Sequence, residues 1–384
     1  MTAFEVDLRA LALLRIGLGA AVLAEIADRW PLLDVFYSDA GTYPVADLVE
    51  ADGPLTRALC AYAWSGEPVV VRCLSVVHAA LALMMTLGIR TRVVAPLCWF
   101  LYFGLTARNC SIAYIADRYL HIFLLLLMFL PCERAWGLDS RRTSGVPTLP
   151  AALTSPTVAT VATAIARCQL IWIYLDAGYG KVVDPEGAWS LGAEVPALDT
   201  IMRYTPVARA LRAALGLGGL RVLSASAAWA ECTLPSIALG AAALHAHRLQ
   251  LACVCGMCGL HVGIALCMNN AVLLSFTACV AWTIFLPPFS TSAPARSTPP
   301  SSPTAAAATP TAAAAAPMGE LKVRTRSELL GCFPLVCFVL ATIAYHMPSQ
   351  GGICSANGSG ERLWSALLNN RWNAFTSIED HVTW

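Results

Sequence analysis

The stretch VVVRCLSVVHAALALMMTLG, residues 69–88, decides the class of fold. It holds a single charged side chain, Arg72, and it is as long as the roughly 20 mostly apolar residues that cross a bilayer as a helix. The whole chain has the same character, since 57% of its 384 residues are hydrophobic and only 13% are charged. Its mean hydropathy is +0.63. The sequence therefore predicts an integral membrane protein.

Similar apolar windows recur along the chain and predict the number of membrane spans. The windows lie near residues 9–27, 69–88, 93–108, 115–131, 158–178, 222–244, 249–268, 271–289 and 330–346. Two of them are short, so the expected fold is an all-α polytopic bundle of eight or nine transmembrane helices. The sequence shows no internal repeat, which makes a transporter built from inverted repeats the least favoured class.

Composition divides the chain into three parts. Residues 1–290 form the predicted membrane bundle, and residues 291–328 read as a linker because proline, alanine and serine dominate its first part. Residues 329–384 hold the last predicted span and a short tail. Arginines between the spans favour a cytoplasmic N-terminus. Two long loops, 28–68 and 179–221, then fall together on the lumenal side, where they are expected to cover the bundle.

Charge and cysteine content exclude several classes of function. A net charge of +1 provides no basic surface for nucleic acid. Most of the 15 cysteines fall inside apolar windows, where cysteine behaves as a small apolar residue, so no disulfide framework is expected. The run CVCGMCG at 253–259 lacks a second pair of ligands at finger spacing, and we interpret it as a helix surface rather than a metal site.

Polar side chains inside the predicted spans need a partner or a function, because charge is costly in hydrocarbon. Arg15 is expected to face the bundle and to be satisfied by another helix. Asp117 and His121 are four residues apart and share one helix face at the start of the fourth span. They either stabilise the helix N-terminus or form the polar rim of a lumenal cavity, and the sequence leaves both readings open.

Three further residues lie at or near membrane depth. Glu231 lies near the middle of the sixth span, where a carboxyl group is either protonated or paired, with an arginine or histidine as the expected partner. His261 lies between two glycines in the seventh span and either bridges two helices or binds a ligand. Lys181 closes the fifth span, where it either snorkels to the interface or serves as a neutral amine base in an apolar pocket.

Several short motifs occur in an order that matches a known family. They are an arginine in the first span, DRW (28–30), FYSDAGTYP (36–44), FLP (129–131), YLDAGYGKV (174–182) with Trp189 and Gly192 after it, AECTLP (230–235), LHVGIALCMNNAVLLSF (260–276) and FLP (285–287). Over about residues 7–290 the chain resembles the horizontally transferred transmembrane (HTTM) domain. This domain is the membrane module of the vitamin K-dependent gamma-carboxylase superfamily.

The resemblance implies a chemistry and a set of site residues. Lys181 stands where the carboxylase lysine deprotonates vitamin K hydroquinone, so the resemblance implies a lyase that couples quinone epoxidation to carboxylation. The residues expected to line the pocket are Asp117, His121, Trp189, Glu231 and His261. No metal is expected, and the implied cofactor is vitamin K hydroquinone or a similar reduced lipid quinone.

The sequence departs from the carboxylase pattern in two places. Asp117 occupies a position where a carboxylase has a histidine. Residues 347–384 are too few for the large lumenal domain that grips a carboxylase substrate, which argues against a protein substrate. The alternative is therefore a non-catalytic lipid-binding or receptor/immunity module on the same scaffold. The expected location is the endoplasmic reticulum or another endomembrane in a eukaryote, and the plasma membrane in a bacterium.

Overall fold

A computed structural model describes residues 2–109, 112, 114–139 and 157–288. About 78% of the structure is helical, which confirms the predicted all-α class. The helices are α1 (Leu8–Arg29), α2 (Leu33–Tyr37), α3 (Val45–Leu59), α4 (Pro68–Leu87), α5 (Thr91–Arg108), α6 (Ile115–Leu127), α7 (Val161–Val182), α8 (Ala197–Ile201), α9 (Pro206–Ala243), α10 (His247–Cys267) and α11 (Val272–Trp282). Two short strands, β1 (Val6–Asp7) and β2 (Thr157–Val158), pair antiparallel.

Each of the first eight predicted spans coincides with a helix. Among the described residues, four helical segments are long and apolar enough to cross a membrane: Leu8–Tyr37, Pro68–Leu87, Pro206–Ala243 and His247–Cys267. These segments agree with a membrane protein, while the total of eight or nine crossings and the lumenal side of the loops stay predictions. The ninth span and the proline-rich linker lie outside the described residues.

Helix α1 lies inside the bundle and contacts α4, α6 and α11. Two of its glycines permit this close contact. A Cβ atom at Gly17 would lie 2.4 Å from Val280 Cγ2 on α11, and one at Gly19 would lie 2.9 Å from the Ala82 carbonyl oxygen on α4. Helices in membranes associate through small residues of this kind, because close backbone approach maximises van der Waals contact.

Arg15 is buried and hydrogen-bonds to other elements of the bundle through Nη1 and Nη2, as predicted, while its Nε has no partner among the described residues. Its guanidinium donates hydrogen bonds of 2.7 and 2.9 Å to the carbonyl oxygens of Met85 and Thr86, at the end of α4, and one of 3.0 Å to that of Trp136. The last carbonyl groups of a helix have no partner within the helix. Arg15 therefore caps α4 from the side, next to the tight turn at Gly88 that leads into α5.

The two predicted lumenal loops contain more helix than expected. Residues 28–68 include α2 and α3, and the loop after α7 ends where α9 begins at Pro206 rather than near residue 222. The predicted boundary came from the apolar window, which begins only at residue 222, after the non-helical break at Gly216. Thr205 instead starts the helix, since its side chain accepts a hydrogen bond from the Ala208 backbone N–H at 3.1 Å.

Candidate functional site

Lys181 lies in the last turn of α7 and points into the bundle. Its side chain is only 6% exposed, and its amino group forms a hydrogen-bonded ion pair with Glu231 of α9. The lysine therefore does not snorkel towards solvent. Glu231 is paired, as expected, but its partner is a lysine rather than an arginine or histidine.

Gly178, one turn before Lys181, brings α7 and α9 close enough for this pair to form. A Cβ atom at Gly178 would lie 2.7 Å from Cys232 Sγ and 2.9 Å from the Cys232 backbone nitrogen. A larger side chain would push the helices apart at the residue next to Glu231. The glycine of the AGYGKV motif thus has a packing role that supports the position of the lysine.

Trp189 covers Lys181 from the loop that follows α7. The lysine Nζ lies 5.2 Å from the centre of the Trp189 ring, within the range of a cation–π interaction. Asp184 shapes this loop by accepting hydrogen bonds from the backbone N–H groups of Glu186 and Ala188, at 3.3 and 2.9 Å. The loop then packs on Ala228 of α9 and shields the ion pair from solvent.

His261 is connected to the surroundings of Lys181 by Tyr174. Tyr174 was not among the predicted site residues. The Tyr174 hydroxyl lies 2.6 Å from His261 Nε2, linking α7 to α10. Tyr174 also hydrogen-bonds to Tyr119 of α6, and Glu231 interacts electrostatically with both phenol groups. Tyr174 lies seven residues before Lys181, two helical turns away on the same face, so the sequence spacing could have identified it.

These side chains form one group, which we call the Lys181 cluster: Lys181, Glu231, Trp189, Tyr174, His261 and Tyr119. It joins α6, α7, α9 and α10 with the loop after α7. His261 bridges two helices, which is the structural interpretation that the sequence had left open. Its Nδ1 atom is buried and has no hydrogen-bond partner among the described residues.

Asp117 belongs to a second group, which we call the Arg29 cluster: Arg29, Glu25, Asp117, Tyr37, Tyr102 and Tyr114. Arg29 Nη2 donates to both oxygens of Asp117 at 2.8 Å. The Tyr102 hydroxyl donates to the same carboxylate at 2.6 Å, and the Tyr114 backbone N–H donates at 3.0 Å. Asp117 thus stabilises the start of α6, and its contacts are distinct from those of Lys181.

His121, one turn after Asp117, lies among aromatic rings. Its ring centre is 5.4 Å from that of Trp99 and 5.9 Å from that of Phe103. Its Nε2 atom has no hydrogen-bond partner within the described part of the chain. The predicted pocket residues therefore separate into Trp189, Glu231 and His261, which surround Lys181, and Asp117 and His121, which do not touch it.

Asp199 fixes the far end of the loop that carries Trp189. It accepts hydrogen bonds from Arg203 Nη2 at 2.6 Å and Arg212 Nε at 2.7 Å, which ties α8 to the start of α9. Burial raises the pKa of Asp199, but the hydrogen bonds and charges of the two arginines outweigh this effect. Its pKa consequently lies below the usual value.

This lowered pKa predicts a pH dependence of stability. Asp199 stabilises the fold above its unfolded pKa of about 4, and the contribution disappears as the pH falls through the lower folded value. We expect Asp199→Asn to lower the melting temperature of the detergent-solubilised protein at about pH 6, and this difference should shrink as the pH falls below about 4. An Asp199→Asn difference that is constant across this range would contradict the assignment. Replacing Arg203 and Arg212 together by glutamine should remove the same pH dependence.

Comparison of the chain with protein-family models, curated proteins and solved structures gives no match. The geometry of the Lys181 cluster is therefore the main physical support for a function.

Proposed function

We propose that the chain is a multi-pass membrane enzyme that uses Lys181 as a base on a reduced lipid quinone, in the manner of the gamma-carboxylases. One observation carries the proposal: the amino group of Lys181 is buried, faces the interior and is paired with Glu231. The pair sets a potential base beside a proton acceptor in the interior of the bundle.

Glu231 supplies a route to the neutral amine. Transfer of a proton from the Lys181 ammonium group to the Glu231 carboxylate converts an ion pair into a neutral pair without changing the net charge. The resulting amine is a general base that can take a proton from a hydroxyl group placed beside it.

The residues around Lys181 suit a quinol. Trp189 offers an aromatic face and His261 Nδ1 a free hydrogen-bonding atom, while the lysine itself would meet one hydroxyl group. When bound, a reduced quinone supplies the two-electron chemistry that the protein side chains lack. The chain's own residues would bind its ring, orient its hydroxyl groups, exclude water and accept the proton at Lys181 Nζ.

The proposal is tested with the full-length protein in lipid nanodiscs, supplied with reduced vitamin K, oxygen, bicarbonate and a glutamate-containing peptide. We expect quinone epoxide and fixed CO₂ from the wild type. Lys181→Met should lose about 10²- to 10⁴-fold in turnover, the usual contribution of a general base. The double variant Lys181→Met/Glu231→Leu controls for folding, because it removes both charges together. Turnover by that variant at the wild-type rate would exclude Lys181 as the base.

A second function is supported by the tight contact between Gly178 and Cys232. In a non-catalytic lipid-binding or receptor-type protein, the Lys181–Glu231 pair would serve only to hold α7 against α9. The two candidates differ in the double variant. A structural pair predicts that the folded double variant retains both quinone binding and the cellular phenotype of the wild type, whereas a catalytic pair predicts that it loses turnover.

A further inference from the structure

Helix α9 is too long for a single membrane crossing. Its 38 residues would extend about 57 Å at 1.5 Å per residue, whereas the hydrocarbon core of a bilayer is about 30 Å thick. Part of α9 must therefore lie outside the hydrocarbon, or the helix must change direction.

Gly216 provides the change of direction. Its backbone angles, φ 59° and ψ 179°, are not helical and belong to a region that only glycine adopts readily. The break separates residues 206–215 from residues 217–243. The second part is about 40 Å long, which matches a bilayer including its headgroup regions. We call the first part the entry segment (residues 206–215). Because of the break, it can run at an angle to the membrane normal.

The entry segment has an exposed apolar stripe. Val207, Leu211 and Leu215 are 53%, 40% and 37% exposed and fall within an arc of about 80° at 100° per residue. Tyr204, just before the segment, is exposed as well. Ala208 is buried and holds the segment against the bundle. The stripe thus faces away from the protein, as expected for a surface that meets lipid.

The opposite side of the entry segment is basic. Arg209 is exposed and lies about 160° from Leu211 around the helix. Residues 199–221 contain four arginines, at 203, 209, 212 and 221, and a single acidic residue, Asp199. Arg203 and Arg212 both pair with Asp199, so Arg209 is the exposed arginine of the entry segment that faces away from the stripe. An apolar stripe with a basic residue on the opposite side is typical of a helix that lies in the plane of a membrane surface.

We propose that the entry segment lies in the membrane interface, with Val207, Leu211 and Leu215 in the acyl-chain boundary and Arg209 on an anionic lipid headgroup. Thr205 holds the start of the entry segment at the C-terminal end of α10, because the Thr205 hydroxyl donates a 3.0 Å hydrogen bond to the Leu266 carbonyl oxygen. The ligand is thus an anionic phospholipid, and the surface is continuous with the crossing part of the same helix.

The proposal is tested by measuring which lipids the full-length protein retains from mixed phosphatidylcholine and phosphatidylglycerol nanodiscs. We expect the wild type to enrich phosphatidylglycerol and Arg209→Gln to lose about fivefold of that preference, the contribution of one arginine at an anionic surface. Arg209→Lys is the matched control, since it keeps the charge and should keep the preference. Equal enrichment by Arg209→Gln and the wild type would overturn the proposal.

Two further measurements test the nature of the ligand and the role of the break at Gly216. Inorganic phosphate should not replace phosphatidylglycerol, and competition by phosphate would show a free-anion site instead.

Gly216→Ala should alter hydrogen exchange of residues 206–215 in nanodiscs, because alanine resists the backbone angles at this break. Gly218→Ala is its control, since a Cβ atom meets nothing within 4 Å at either position and residue 218 is helical. Unchanged exchange in Gly216→Ala would also count against the proposal.

Discussion

Lys181→Met is expected to lower the free energy of unfolding by about 3–5 kcal/mol, because it leaves the buried Glu231 without its counter-ion. The two side chains are only 6% and 9% exposed, so water cannot compensate for the lost partner. The measurement is the unfolding of the detergent-purified chain in a titration with sodium dodecyl sulfate.

The double variant Lys181→Met/Glu231→Leu should recover most of this loss. Replacing both members of a buried ion pair by apolar side chains of similar volume is often neutral or stabilising, whereas removing one member is not. The effects of the two single substitutions are therefore expected to be strongly non-additive. A double variant as unstable as Lys181→Met would show that the cost arises from lost packing rather than from an unpaired charge.

The matched surface control is Arg72→Gln. Arg72 pairs with Asp34, but the two side chains are 54% and 40% exposed. Exposed ion pairs contribute about 0–1 kcal/mol, so this substitution should have little effect. A loss as large as that of Lys181→Met would contradict the distinction between buried and exposed pairs in this protein.

The positions of the helices could be predicted because each depends on a local property. A run of apolar residues is visible in the sequence, and the predicted spans lie on helices throughout the described part of the chain. The start of α9 could not be predicted in the same way. The non-helical backbone of Gly216 separates a short first segment from the rest of α9, and the apolar window marks only the part that follows this break.

The partners in the two clusters were not predictable, because they depend on how the helices are arranged. Lys181 and Glu231 are 50 positions apart, and Arg29 and Asp117 are 88 apart. A single sequence gives the depth of a residue in the membrane but not which neighbouring helix it faces. Depth alone correctly marked Glu231 and His261 as residues that need partners. The family resemblance, by contrast, grouped Asp117 with a lysine that it does not contact.

Arg29→Met is expected to have an effect at least as large as that of Lys181→Met. Arg29 is the common partner of Glu25 and Asp117, whose exposures are 1% and 3%, and it also donates a 2.7 Å hydrogen bond to the Tyr37 hydroxyl. Its removal leaves two carboxyl groups buried together. We expect a loss of about 3–5 kcal/mol or more in the free energy of unfolding, measured in the same titration.

Two further variants show why the guanidinium is needed. Arg29→Lys keeps the charge but cannot reproduce the planar set of donors that reaches Glu25, Asp117 and Tyr37 at once, so an intermediate loss is expected. Adding Glu25→Gln and Asp117→Asn to Arg29→Met removes both unpaired charges and should restore part of the stability. If Arg29→Met costs no more than Arg92→Gln, which disrupts an exposed pair with Glu133, the cluster does not hold α1 against α6. A large loss that the added amides relieve would instead identify charge compensation by Arg29 as the interaction that joins the two helices.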